Sequence, residues 1–284
     1  MVEPGVMFNA ADDDAAQCSV GPWGRLKLLS FNIQVGINTQ RYHHYLTRSW
    51  QHILPHAGRD QNLKRIGKLV SQYDLVALQE ADGGSLRSNY RNQVEQLAEL
   101  ADFPFWYQQL NRNLGRFAQH SNGVLSRYCP NRVVKYPLPG PPGRGAMLLE
   151  FGTGADTLAV VVMHLALGTR VRTRQLAYIR EIISDYPHQV LMGDMNTHAV
   201  ELLEHSPLKD LGLVAPQVHA TFPSWRPQKC LDHILLSPNL ALEKVEVLAA
   251  PISDHLPVAV EIRLPNAIAH ARSTAVQVRD KGQA

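Results

Sequence analysis

Six apolar, strand-like runs in this chain carry a polar group at or near one end, where an uncompensated charge would cost several kcal/mol. Val190-Leu191-Met192 leads into Gly193-Asp194-Met195-Asn196, and the run from Val245 to Pro251 leads into Ser253-Asp254-His255. Leu28-Leu29-Ser30-Phe31-Asn32 ends in an amide, and Asp74-Leu75-Val76-Ala77-Leu78-Gln79-Glu80 in a carboxylate. Leu158 to Met163 ends in His164-Leu165, and Cys230-Leu231-Asp232-His233-Ile234-Leu235-Leu236 carries an Asp inside an otherwise apolar strand. A lone Asp or Asn in such a place is ordinarily a turn former or a helix N-cap. Glu80 alone would read as a cap on the next element, and His164 as a satisfied core histidine. Together the six make an Asn, Glu, His, Asp-x-Asn, Asp, Asp-His series. That set suits a hard divalent cation held by oxygen, with imidazoles to manage a phosphate.

The bulk properties place these tips in a soluble chain. Hydrophobic residues make up 45% and charged residues 19%, as in ordinary globular proteins. No apolar run approaches the ~20 residues that span a bilayer. The start, with Glu3 and Asp12-Asp13-Asp14, lacks the basic and apolar stretches of a signal peptide. Cys18, Cys129 and Cys230 cannot all pair and show no metal-ligand spacing, which suits a reducing compartment, the cytoplasm by default. The net charge of +3 permits a phosphate-bearing ligand without selecting DNA. Two basic groups, Arg170, Arg172 and Arg174, and Lys64, Arg65 and Lys68, are open to two readings, phosphate contact or a solvated helix face.

Periodicity organises the rest. Residues 1–24 read as a mobile tail, 25–264 as one domain and 265–284 as a second polar tail. Helices are expected from Asp60 to Tyr73, Asn89 to Leu100 and Arg172 to Tyr186, where apolar residues recur at helical spacing. Between the second and third lie strand-like runs at about Phe105–Tyr107, Asn122–Leu125, Val133–Tyr136, Ala146–Phe151 and Leu158–His164. Consecutive strands of this kind argue for mixed sheets packed face to face with helices outside, an α+β layered domain.

The stretches Ser30-Phe31-Asn32-Ile33, Leu78-Gln79-Glu80, Ser121 to Arg127, Met163-His164-Leu165, Gly193 to Asn196, Leu231 to Leu235 and Ser253-Asp254-His255 occur in one order. In that order the chain resembles the endonuclease/exonuclease/phosphatase superfamily, whose members look like deoxyribonuclease I. Arg144-Gly145-Ala146 and Thr221 to Trp225 further resemble a bacterial metal-dependent hydrolase branch. The resemblance implies a four-layer α/β sandwich, two packed mixed β-sheets flanked by helices. It implies Mg²⁺, with Mn²⁺ as a substitute, held by Glu80 with Asn32 supporting and Asp254 nearby. It also implies that Asp194 orients or deprotonates water, Asn196 donates to a phosphate oxygen, and Asp232 orients His255 against the phosphate, with His164 on the opposite side. Asn122 supports the cleft, and Arg112 and Asn113 lie where family nucleases touch substrate.

The aromatic and basic segment from Arg41 to Trp50 is expected at the rim of the site, with Tyr45 and Trp50 selecting substrate or simply packing on the sheet edge. The implied activity is metal-dependent phosphodiester hydrolysis by a monomer, with nucleic acid ahead of lipid as substrate. The same core acting on a phospholipid or small phosphate ester is the alternative, and a non-catalytic binding module the minor one. His233 follows Asp232 along a strand and should face the opposite side.

Overall fold

Strands apolar on both faces need cover on both sides, and this chain supplies it with two sheets and two helical layers. A computed structural model describes residues 7–8, 24–37, 57–152, 154–216 and 219–264. Its strands are β1 (Met7–Phe8), β2 (Arg25–Asn32), β3 (Leu75–Asp82), β4 (Phe105–Asn113), β5 (Gln119–Ser126), β6 (Arg132–Pro137), β7 (Gly145–Phe151), β8 (Leu158–His164), β9 (His188–Asp194), β10 (Asp232–Leu236), β11 (Ala241–Val247) and β12 (Val258–Arg263). The helices are α1 (Ala57–Val70), α2 (Gln93–Leu100), α3 (Thr169–Ile183) and the short α4 (Ala199–Leu203).

One sheet runs β1-β6-β7-β8-β9-β10 and the other β11-β12-β2-β3-β5-β4. Each contains one parallel pair, β8/β9 in the first and β2/β3 in the second. The remaining pairings are antiparallel. A parallel pair requires a crossover, and α3 and α1 lie in the two crossovers.

Side-chain parity then assigns three cores. Leu28, Ala77, Val160, Val162, Val190, Met192 and Ile234 meet between the sheets. Ala159, Val161, Leu191 and Leu235 face Leu176, Ile179 and Ile183 of α3. Leu29, Phe31, Val76 and Leu78 face Leu63 and Ile66 of α1 and Leu97 of α2. The order is helix, sheet, sheet, helix, the four-layer mixed-sheet sandwich expected from the sequence.

Several boundaries differ from expectation. The Met7–Phe8 strand pairs with Val133 and Val134, inside a stretch read as a tail. β4 continues to Asn113 as an edge strand paired only with β5, its polar residues Gln108 to Asn113 giving no apolar signal. The run from Val245 to Pro251 does not end inside a sheet. Its strand is β11, a half-exposed edge, and Ser253-Asp254-His255 lies in the loop before β12. α2 begins at Gln93, after Asn92, whose Oδ1 accepts from the Val94 amide at 3.0 Å. Asn89 and Tyr90 before it are left-handed and cannot extend the helix. α1 and α3 each sit about one turn earlier than the spacing implied.

Candidate active site

The inner-face parity of the first sheet continues past its apolar residues into chemistry. Asp194 is in register with both His164 and Asp232, so the three side chains share the face that buries Val162, Met192 and Ile234. Two carboxylates opposed on one face repel. His255, from the loop before β12, separates them: its Nδ1 is 2.8 Å from Asp232 Oδ2 and its Nε2 3.9 Å from Asp194 Oδ2. Thr221 Oγ1 donates to the same Asp232 oxygen at 2.5 Å, and the Phe222 ring lies tilted against the imidazole at 4.8 Å. The Asp194 turn is closed by Asn196, whose backbone N–H donates to Asp194 Oδ1 at 3.0 Å and whose side-chain amide donates to Leu165 O at 2.9 Å. Gly193 allows this packing: at φ 149 a Cβ would lie 1.9 Å from Met163 O, so only glycine lets the strands approach here.

The second sheet supplies Asn32 and Glu80. Asn32 Nδ2 donates to Asp194 Oδ2 at 3.1 Å across the gap between the sheets, and its Oδ1 accepts from the Gln34 N–H at 3.1 Å. Glu80 breaks the parity of β3. Val76 and Leu78 face the outer helices, and simple alternation would send Glu80 after them. Instead Glu80 has φ 56, and the register with β5 shifts between Leu78 and Ala81. The kink leaves Glu80 on the wall of the cleft, with Asn122 and His164. Just beyond it Asp82 is buried and satisfied by the Gly84 and Ser85 amides, the Ser85 and Ser88 hydroxyls and the Arg87 guanidinium. Ser253 Oγ donates to Asn32 O at 2.7 Å, which ties the Asp254-His255 loop to the end of β2.

Electrostatics divides the acids. Desolvation and the nearby Asp254 carboxylate raise the Glu80 pKa. Desolvation and Asp232 raise Asp194, to about 7. Burial opposes charge on His255, but Asp232 and Asp194 outweigh it and hold the imidazolium well above the usual histidine range. Burial and then Arg144 push His164 well below that range.

A hard cation fits the Glu80 side better than the Asp194 side. The Asp254 carboxylate disfavours charge on Glu80, and Asn122, whose Nδ2 donates to Gly145 O, has a buried Oδ1 with no hydrogen-bond partner. Asp194, Asp232 and His255 also place ligand atoms within 4.8 Å of one another. In that trio, however, the imidazole is already hydrogen-bonded to Asp232 and stands between the two carboxylates. Glu80 with Asp254 and Asn32 offers the oxygen-only set that Mg²⁺ or Mn²⁺ favours.

A cleft of about 460 Å³ opens from this edge. Its polar wall includes Asn111, Arg112 and His120, and its apolar wall Pro141, Pro142, Leu167 and Val171. His120 is held neutral, at about 4, by burial and by Arg87. Arg112 thus lies on the cleft, whereas the exposed Asn113 caps its own turn by accepting from the Gly115 N–H at 2.9 Å. The basic run 170–174 divides: Arg172 is buried and donates to the carbonyls of Ala166 and Leu167, while Arg170 and Arg174 are exposed. Arg172 therefore fixes the loop after His164 and is not part of a phosphate-binding cluster. Lys64, Arg65 and Lys68 lie on the exposed face of α1. His233 faces the outer layer, its Nε2 2.8 Å from Thr197 O. Tyr45, Trp50 and the rest of the 41–50 segment lie outside the described residues.

The structure brings together Asn32, Glu80, His164, Asp194, Asn196, Asp232, Asp254 and His255. Sequence reasoning missed Arg144, whose Nη1 is 3.1 Å from His164 Nδ1, and Thr221. Both stand inside stretches already recognisable as motifs, so the signal was present but their partners were not.

The model of the endonuclease/exonuclease/phosphatase family matches residues 29–255. The chain belongs to that family. Membership makes it a phosphoric ester hydrolase by lineage. Among solved structures, a family member from Beutenbergia cavernae is 20% identical with TM-score 0.65, over 84% of this chain and 72% of that one. A mannosyl-6-phosphatase from Bacteroides thetaiotaomicron is 16% identical with TM-score 0.61, over 84% and 99%. Humanized D. rerio TDP2 is 15% identical with TM-score 0.56, over 84% and 99%. At these identities the likeness is one of fold. No curated protein matches the chain at a significant level. Among the described residues, no helix is long and apolar enough to cross a membrane.

Proposed function

We propose that this protein is a divalent-metal-dependent phosphodiesterase acting on nucleic acid. The observation that carries the chemistry is the convergence of two carboxylate sets from two sheets on one edge, joined by the Asn32–Asp194 hydrogen bond. Glu80, Asp254 and Asn32 would hold Mg²⁺ or Mn²⁺, which would supply neutralisation of phosphate charge and help for the leaving oxygen. Asp194, raised toward neutrality, accepts a proton from the attacking water and orients it. His255, kept cationic between Asp232 and Asp194, stabilises negative charge growing on the phosphate. Asn196 retains a second amide hydrogen for a phosphate oxygen while the first holds Leu165 O.

The nucleic-acid reading is supported by the β4–β5 hairpin beside the cleft. It presents Arg112 on the cleft wall, and its turn carries Leu114 and Phe117, which are 44% and 64% exposed. An exposed aromatic beside cations suits base stacking with phosphate contact. The size of the cleft, about 460 Å³, and its proline wall favour a second reading, a compact phosphate ester. The deciding experiment is a screen of the purified protein with Mg²⁺ or Mn²⁺. The substrates are plasmid, single-stranded and abasic DNA, RNA, a phospholipid panel, sugar phosphates and bis-para-nitrophenyl phosphate. Turnover of sugar phosphates or lipids with no cleavage of any polynucleotide would overturn the nucleic-acid reading. Full activity in excess EDTA after dialysis would overturn the metal requirement.

A further inference from the structure

The two imidazoles beside Asp194 are held in opposite ways. His255 turns Nδ1 toward a carboxylate, Asp232 Oδ2 at 2.8 Å, so that nitrogen carries a proton. His164 turns Nδ1 toward a guanidinium, Arg144 Nη1 at 3.1 Å. Arginine has five N–H donors, no acceptor, and does not lose its proton in proteins. Nδ1 of His164 must therefore be the accepting nitrogen, and the ring's single proton resides on Nε2. That nitrogen is 3.4 Å from Asp194 Oδ2, the oxygen that also receives Asn32 Nδ2 at 3.1 Å. His164 is only 3% exposed, so its ring is oriented chiefly by protein partners. The charged and titratable groups around it are Arg144 from the loop before β7, His120 from β5, Asp194 from β9 and His255 from the loop before β12.

We propose that Arg144 is a positioning residue: its guanidinium donates to His164 Nδ1, locks the ring as the neutral Nε2–H tautomer, and so turns the Nε2–H toward Asp194. The inference rests on the reading of Asp194 as the group that takes the water proton. His164 then neither accepts a proton from water nor adds a second imidazolium to the site. Asn32 Nδ2 donates to Asp194 Oδ2, His164 Nε2 faces the same oxygen at 3.4 Å, and the positive charge on the cleft side of His164 resides on arginine.

The test reads the tautomer directly, by ¹⁵N NMR of the full chain labelled at histidine, with His164 assigned from its loss in His164→Gln. The expected wild-type result is an unprotonated Nδ1 and a protonated Nε2 throughout the range from about pH 5 to 8. A wild-type proton on Nδ1, or on both nitrogens, would overturn the lock. Two variants separate positioning from charge. Arg144→Gln keeps an N–H donor without the charge and should retain the tautomer, with kcat within a few-fold of wild type. Arg144→Met keeps length without a donor, so His164 should lose its fixed tautomer and kcat should fall roughly 10-fold or more. Equal kcat losses in both variants with the tautomer intact would mean the guanidinium acts by charge, which also overturns the proposal. A protein inactive on every phosphate ester would sink the functional reading alone, because the NMR result stands independently of turnover.

Discussion

The parallel pair β2/β3 and the parallel pair β8/β9 are built alike and end differently. Each sits near the middle of its sheet, and each ends in two functional side chains at the edge where the sheets meet. The β2/β3 pair delivers Asn32 and Glu80, which are oxygen donors, with Asp254 added from a loop tied to β2. The β8/β9 pair delivers His164 and Asp194, an imidazole and a carboxylate, with Asp232 and His255 beside them. The two pairs also reach their geometry by different means. β8 and β9 keep perfect alternation and are set by register alone, whereas β3 must kink at Glu80 and is stapled by the Asp82 cluster. Asn32 and Glu80 thus come from one sheet and His164, Asp194 and Asp232 from the other, while a single loop before β12 supplies both Asp254 and His255.

The sharpest way to break this division is on the β8/β9 side. Asp194→Asn and His255→Ala should each lower kcat by at least roughly 10²-fold, and the double variant should lose far less than the product, because groups acting as a unit are not additive. Multiplicative losses measured with bis-para-nitrophenyl phosphate would show that the two do not form one unit. On the β2/β3 side, Glu80→Gln should abolish metal-dependent turnover, by roughly 10²-fold or more, and weaken Mn²⁺ binding in calorimetry. Because Glu80 and Asp254 repel, the same change should leave Tm unchanged or raised. A variant that binds Mn²⁺ as tightly as the wild type would return the cation to the Asp194 side.

Asp82 tests the staple. Replacing it with Asn strands the buried Arg87 and should cost about 3–5 kcal/mol in denaturant unfolding. Burial would raise the Asp82 pKa, but the Ser85 amide and Arg87 prevail and hold it at about 2. Its contribution is thus complete above the unfolded carboxyl value of about 3.9 and is lost as pH falls toward about 2. Wild-type unfolding free energy should drop over that window, and the Asp82→Asn curve should be flatter. Parallel curves would show that the stabilisation lies elsewhere. The smallest effect belongs to the hairpin: Phe117→Ala should raise KM for a polynucleotide a few-fold and leave bis-para-nitrophenyl phosphate unaffected. Equal changes on both substrates would make the hairpin part of the scaffold.

How much of this was legible follows the same contrast. β8, β9 and β10 announce themselves, because an unbroken aliphatic run followed by a lone His or Asp needs no partner to be noticed. The identity of Asn32, Glu80 and Asp254 was equally visible, but not the left-handed turn at Glu80, which depends on the Asp82 cluster that follows it. The strand before Ser253 was misplaced because β11 is an edge whose outward residues, such as Glu246, make its alternation look like loop. β4 was truncated for a related reason, since its polar second half pairs by backbone and leaves no apolar trace. Arg144 was readable as a motif residue but not as the partner of His164. That pairing joins a proline-rich loop to a strand 20 positions away, and only folding reveals it.

The inner-face parity has a consequence for how such a chain can change over generations. Asn32, His164 and Asp194 are the last rungs, and Asp232 the first, of ladders whose other inward rungs are mostly core residues, and each ladder counts by two. Losing or gaining a single residue inside β2, β8, β9 or β10 would exchange the faces of everything beyond it, sending these groups toward the helices. Length variation is consequently barred from these strands and is free only in the turns that rim the cleft, such as Pro139 to Gly143 and Asn113 to Gln119. Lineages with this framework can diversify what they bind by lengthening or trimming those rims, while the reacting groups stay in frame.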